Sequence, residues 1–159
     1  MPTEETIGVL LQERGLTLAT AESCTGGLVA HRLTNVPGSS AYFVGGVVAY
    51  SNRIKEEMLG VRHETLLTHG AVSEETAREM AQGARRRFGT DLAVAITGIA
   101  GPTGGAPGKP VGLTYIALAA GDAERCERRI WIGTRLENKE RSAEAALQLV
   151  LDYLRERGS

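Results

Sequence analysis

The segment Leu92-Ala93-Val94-Ala95-Ile96-Thr97 is apolar at five successive positions and then opens into a loop rich in glycine and proline, Gly98 to Pro110. A strand with no polar face has to be covered on both sides, which is the condition of a strand inside a parallel sheet flanked by helices. The rest of the chain agrees with that constraint. Thr3 to Arg14 reads as a helix with Ile7, Leu10 and Leu11 on one side, acids in its first turn and Gly15 as its stop. Leu16 to Ala21 is a short strand that breaks at Glu22-Ser23-Cys24-Thr25-Gly26-Gly27 into the helical pattern of Leu28, Val29 and Leu33. Ala41 to Tyr50 is rich in β-formers, and its Gly45-Gly46 pair predicts a bulge or a close backbone approach.

A short helix capped by Ser51-Asn52 follows, with Ile54, Met58 and Leu59 on its apolar side, and Glu64 to Thr68 forms a further helical turn. Ser73 caps a helix from Glu74 to Phe88, whose acids lie at the start and whose Arg85-Arg86-Arg87 lie at the end. Val111 to Ala119 and Glu124 to Ile132 are separated by four residues and predict an antiparallel hairpin. Lys139 to Arg157 closes the chain as a helix. The pattern predicts one α/β domain over residues 1–159, with three layers (α/β/α) and a mixed, mostly parallel sheet.

Aromatic residues make up only 4% of the chain, so the core has to be assembled from Ala, Val, Leu and Ile. Lys and Arg number 18 against 19 Asp and Glu, a balance that argues against binding nucleic acid through a general basic surface. No apolar run approaches the roughly 20 residues of a membrane span. The acidic start, Thr3-Glu4-Glu5, is unlike a basic signal peptide, and Cys24 and Cys126 stand in unrelated contexts. The expectation is a cytoplasmic protein with reduced thiols, no metal site and no membrane partner.

Three segments are able to carry chemistry. In Glu22 to Gly27 a strand breaks into a helix, where unpaired N–H groups gather and glycines admit a ligand to the backbone. Ser23 is a nucleophile there or simply a cap, and Cys24 is either a rival nucleophile or a buried thiol. In Tyr50 to Lys55, Lys55 starts a short helix and reads by itself as a solvated surface residue, because lysine is rarely buried. The Gly98–Pro110 loop lies at the carboxyl end of a buried strand, where open α/β sheets bind ligands, yet it is neither a Walker A loop nor a GxGxxG turn. A plain surface loop is its other reading. His31, His63 and His69 show no metal or triad spacing.

Together these segments resemble one family. Thr20-Ala21-Glu22-Ser23-Cys24-Thr25-Gly26-Gly27, Pro37-Gly38-Ser39-Ser40, Tyr50-Ser51-Asn52 with Lys55, and His69-Gly70-Ala71-Val72-Ser73 are similar to motifs of the CinA C-terminal domain family. So are Thr97 to Pro102, Gly104-Gly105 and Lys109-Pro110-Val111-Gly112. Stand-alone members of that family are nicotinamide-nucleotide amidases, which convert NMN to nicotinate mononucleotide and ammonia with a Ser/Lys pair and no metal or cofactor.

The resemblance implies Ser23 as nucleophile, Lys55 as general base, and Tyr50 and Thr97 as supporting polar groups. It implies Thr25, Gly26, Gly27, Gly98 and Gly101 as substrate contacts and Arg135 as a phosphate or substrate ligand. Thr134 stands where the family commonly has Asp, and Lys139 where a second Arg is common. The N-terminal domain of longer members has no counterpart in this sequence. A homo-oligomer binding NMN is expected. The alternative is a non-catalytic nucleotide-binding or regulatory domain linked to competence or the DNA-damage response.

Overall fold

Alternation of large and small apolar residues along the central strands builds two different cores. In the computed structural model, which describes residues 1–158, five strands form one sheet: β1 (Leu18–Glu22), β2 (Phe43–Val48), β3 (Leu92–Gly98), β4 (Leu113–Ala120) and β5 (Glu124–Ile130). Their spatial order is β2-β1-β3-β4-β5. The pairs β2/β1 and β1/β3 are parallel, and β3/β4 and β4/β5 are antiparallel, so only β4 opposes the common direction. The sheet is mixed, as its sequence pattern predicts.

On one face Leu18, Leu92, Val94, Ile96, Ile116 and Leu118 are buried against three helices: α1 (Thr3–Arg14), α2 (Leu28–Thr34) and α6 (Arg135–Arg157). On the other face Ala19, Ala21, Ala93, Ala95, Ala117 and Ala119 receive α5 (Glu74–Phe88) through Ala77, Met80, Ala81 and Ala84. The aliphatic face supplies most of the hydrophobic stabilisation, at about 1.5–3 kcal/mol for each fully buried Leu, Ile or Val. The alanine face contributes less per residue but lets a helix lie close to the sheet. That division explains how a chain so poor in aromatics fills its interior.

Outside α5 lie α3 (Asn52–Leu59) and α4 (His63–His69). Gly83 of α5 is the reason α3 sits so near: a Cβ at that position would overlap the carbonyl of Leu59. The Gly45-Gly46 pair of β2 is both things its sequence suggests. The register slips between Leu18/Phe43 and Ala19/Gly45, and a Cβ at Gly46 would overlap Thr20 Oγ1.

Boundaries differ mainly where loops carry their own hydrogen bonds. The second predicted strand begins only at Phe43, because Ser39–Ala41 forms a 3-10 turn. Helix α6 begins at Arg135 instead of Lys139, since Thr134 Oγ1 accepts from the Glu137 amide at 3.2 Å and Glu137 Oε1 accepts from the Thr134 amide at 2.9 Å. This reciprocal cap adds a full turn. It also shows that Thr134 performs the capping work an Asp would perform. Among the described residues no helix is long and apolar enough to cross a membrane.

Candidate active site

The carboxyl ends of β1 and β3 meet beside the start of α3, and their side chains form the floor of a cleft of about 230 Å3. β1 ends at Glu22, and the next amide, that of Ser23, still donates to Ile96 O at 2.9 Å. This bond extends the ladder by one residue and fixes the turn that carries the Ser23 hydroxyl. Lys55 approaches from α3, whose start is fixed by Ser51 Oγ accepting the Ile54 amide at 3.2 Å. Lys55 Nζ donates to Ser23 Oγ at 3.1 Å and to the main-chain carbonyl of Tyr50 at 3.2 Å.

Lys55 is 1% exposed, so the surface position that its residue type suggests is overturned, and the inward one that the resemblance implies is the one found. Burial lowers its pKa from the ordinary lysine range, because removing water penalises the ammonium more than the amine. None of the ion pairs among the described residues includes it. A lysine without a carboxylate partner, held on a serine hydroxyl, has the arrangement of a base. The neighbouring thiol is in the opposite condition. Burial, helped by the Glu22 charge, pushes the Cys24 pKa up to about 12. Such a thiol stays protonated, and its sulfur packs near Gly98 instead of meeting the lysine.

Thr97 and Tyr50 line the cleft but act differently from what their hydroxyls suggest. Thr97 Oγ1 donates to Ala71 O at 2.7 Å, tying the end of β3 to the segment before α5. It retains lone pairs with which to accept. Tyr50 supports the lysine through its carbonyl, while its hydroxyl accepts from Arg135 Nη2 at 3.1 Å at the cleft rim. Arg135 Nη1 donates to Gly101 O at 2.7 Å. The Gly98–Pro110 loop is strapped down rather than free. Asn138 Nδ2 donates to Ala100 O at 3.0 Å, and Lys109 Nζ donates to His69 O at 2.6 Å.

The structure therefore gathers Ser23, Lys55, Tyr50, Thr97, Gly98 and Arg135 around one cleft. It does not bring Thr25, Gly26 and Gly27 there. The Thr25 hydroxyl and the Gly27 amide both donate to Glu22, the Gly26 amide donates to Ser23 O, and the three residues line a separate cleft beside Leu136 and Lys139. The Thr25 hydroxyl and the Gly26 and Gly27 amides are thus bonded inside the turn and do not face the Ser23 cleft. Gly101 serves as the seat of Arg135 and does not line the cleft. Sequence reasoning gave no role to Asn52, Ala71 and Val72, which line it, nor to Glu22, which organises the turn. Among the described residues no group of three or more His, Cys, Asp or Glu is placed to hold a metal ion.

Comparisons with known proteins agree with this architecture. The family model described as CinA C-terminal domain matches residues 1–154. The chain is 58% identical over 158 residues to a CinA-like protein of Chloroherpeton thalassium, covering 97% of this chain and 38% of that one. It is 53% identical over 151 residues to a putative competence-damage inducible protein of Desulforudis audaxviator, covering 95% and 37%. It thus spans well under half the length of these curated relatives. Among solved structures, the competence/damage inducible protein CihA from Agrobacterium tumefaciens superposes with a TM-score of 0.90 at 44% identity, over 96% of this chain and 95% of that one. A CinA superfamily protein from Klebsiella pneumoniae gives 0.92 at 34% identity, over 98% and 99%. With a matching family model along nearly its whole length and the same fold in its solved relatives, this chain belongs to the CinA C-terminal domain family.

Proposed function

We propose that the protein hydrolyses the carboxamide of a nicotinamide mononucleotide, releasing the nicotinate nucleotide and ammonia. One observation carries the reading: a lysine amine that is 1% exposed and 3.1 Å from a serine hydroxyl at the end of a central strand. Amide hydrolysis needs a nucleophile stronger than a free hydroxyl, and a neutral buried amine supplies the base that makes one. The choice of substrate rests on the family resemblance.

In this reading neutral Lys55 takes the Ser23 proton as Oγ attacks the carboxamide carbon. The lysine then returns that proton to the departing nitrogen, and ammonia leaves an ester on Ser23. Water attacks the ester as the lysine takes one of its protons; the lysine passes that proton to the departing Ser23 oxygen, and the acid released loses its own proton to solvent to become the carboxylate. Each tetrahedral oxyanion needs N–H donors. Within the turn the Ser23, Gly26 and Gly27 amides are already engaged, and of the remaining two, Cys24 and Thr25, the Cys24 amide directly follows the nucleophile, the position of an oxyanion donor. The cleft, about 230 Å3, is smaller than the roughly 300–1,000 Å3 of sites that enclose a whole drug-sized ligand. The pyridine carboxamide enters, and the ribose phosphate lies over the rim. Arg135 stands there with two guanidinium donors used and others left for an anion.

The test is release of ammonia from NMN by purified protein treated with chelator. Turnover that persists supports the reading. Binding of NMN without turnover would replace it with a nucleotide-binding domain.

A further inference from the structure

Glu22 is a buried carboxylate in the turn of the reacting serine, and nothing in the proposed reaction uses it. It is 1% exposed. Its Oε1 accepts from Thr25 Oγ1 at 2.6 Å, from the Gly27 amide at 3.2 Å and from the Val29 amide at 3.0 Å, and its Oε2 accepts from the Ala30 amide at 3.0 Å. All four donors are neutral, and three of them are backbone groups of the α2 start. Helix starts are ordinarily capped by a single exposed Ser, Thr, Asp or Asn. A fully buried anion is a far more demanding solution, because it loses its water and has no cation to replace it. The N-cap position itself is Gly27, which has no side chain to cap with, so Glu22 serves the α2 start from outside the helix and ties it to the end of β1.

The turn that Glu22 braces carries two side chains able to act as nucleophiles, Ser23 and Cys24. Ser23 Oγ meets Lys55 Nζ at 3.1 Å, while the buried Cys24 sulfur lies against Gly98. We propose that Glu22 is a positioning residue that selects the serine: its four hydrogen bonds lock residues 22–30 so that Ser23 faces Lys55 and Cys24 stays packed beside Gly98. The serine half rests on the hydrolase reading above. The thiol half does not.

Glu22→Gln tests both halves, read in a Cys126→Ser background so that Cys24 is the only thiol. Gln keeps the shape and the Oε1 acceptor but turns an N–H toward the Ala30 amide. We expect kcat for NMN to fall about tenfold or more with KM little changed, as for a displaced reacting group. Modification of Cys24 by methyl methanethiosulfonate at fixed pH should quicken at least about threefold as the turn loosens and the thiol is uncovered. A folded Glu22→Gln protein with wild-type kcat and a wild-type Cys24 modification rate would reduce Glu22 to a helix cap and overturn the proposal.

If Glu22→Gln does not fold, Thr25→Val decides. It removes the shortest donor to Glu22, so kcat should drop and Cys24 modification should quicken; wild-type values of both would again overturn the positioning role. If the unsubstituted protein does not turn NMN over, the hydrolase reading fails first, and the Cys24 modification rate of Glu22→Gln still judges the seating of the thiol.

Discussion

The floor and the rim of the cleft are built on opposite principles. At the floor, Ser23, Lys55 and Thr97 are each under a tenth exposed and rise from strand ends or a capped helix. At the rim, Tyr50 is 63% exposed and Arg135 opens a helix beside a glycine-rich loop. In the proposed reaction the floor has to be dry, because the chemistry would depend on an uncharged amine. Under the same proposal the rim has to be wet, because it would capture and release a charged ligand. Burial of a lysine, which would destabilise the fold elsewhere, is then the means by which the floor acquires a base.

The comparison breaks first at the floor. Ser23→Ala should lower NMN turnover by about 10³-fold or more while leaving the protein folded, measured as ammonia release with circular dichroism as control. Lys55→Arg should come close to that loss, because a guanidinium keeps its proton at any accessible pH. The unsubstituted enzyme sharpens the same point. Only the neutral amine accepts a proton, so kcat should climb with pH through the lowered Lys55 pKa and then level off. The linked effect on folding has the same sign. Between the lowered folded value and the ordinary lysine value of about 10.4 the unfolded chain holds more protons, so stability rises with pH. Near-normal rates in Lys55→Arg would remove the base from the mechanism.

Rim changes should be smaller and of another kind. Arg135→Ala is expected to weaken NMN binding about tenfold, the size of one charge-assisted hydrogen bond. Nicotinamide riboside, which lacks the phosphate, should lose much less; equal losses in calorimetric titration would make Arg135 a strut for Gly101 and Tyr50. Cys24→Ala should change turnover least, within about threefold, with a stability loss of about 1 kcal/mol for the vacated volume. A dead Cys24→Ala beside an active Ser23→Ala would reverse the assignment of the nucleophile.

Much of this organisation is legible in the residues. Ser73, the acids behind it, the three arginines and Gly89 bracket α5 at the positions found, because caps and dipole charges are local. The apolar run of β3 is buried as read. The start of α6 is equally local, written in Thr134-x-x-Glu137, and is a signal that the apolar periodicity from Lys139 onward obscured. The inward turn of Lys55 is different in kind. A helix of eight residues has too few turns for periodicity to choose its face, and every hydropathy scale places an amine outside; only the family resemblance pointed inward. Tyr50 acts through a carbonyl, which has no side-chain signature. The Thr25–Gly27 turn looks open to a ligand because its glycines are visible, whereas the carboxylate that takes the Thr25 hydroxyl and the Gly27 amide is not visibly paired with them.

Gly83 touches neither the serine nor any ligand-facing group, yet it determines how long the lysine stays dry. Helix α3 rests on it by direct backbone approach, and the eight-residue α3 buries only Lys55 and Leu59 fully, far fewer apolar side chains than the sheet on the other side of α5. Local opening of so lightly anchored a segment requires less free energy than global unfolding. On warming, α3 is therefore expected to lift and rehydrate Lys55 while the strands are still paired. The upper working temperature of such a catalyst is then set by the seating of one short helix, and inactivation by heat runs ahead of the loss of secondary structure.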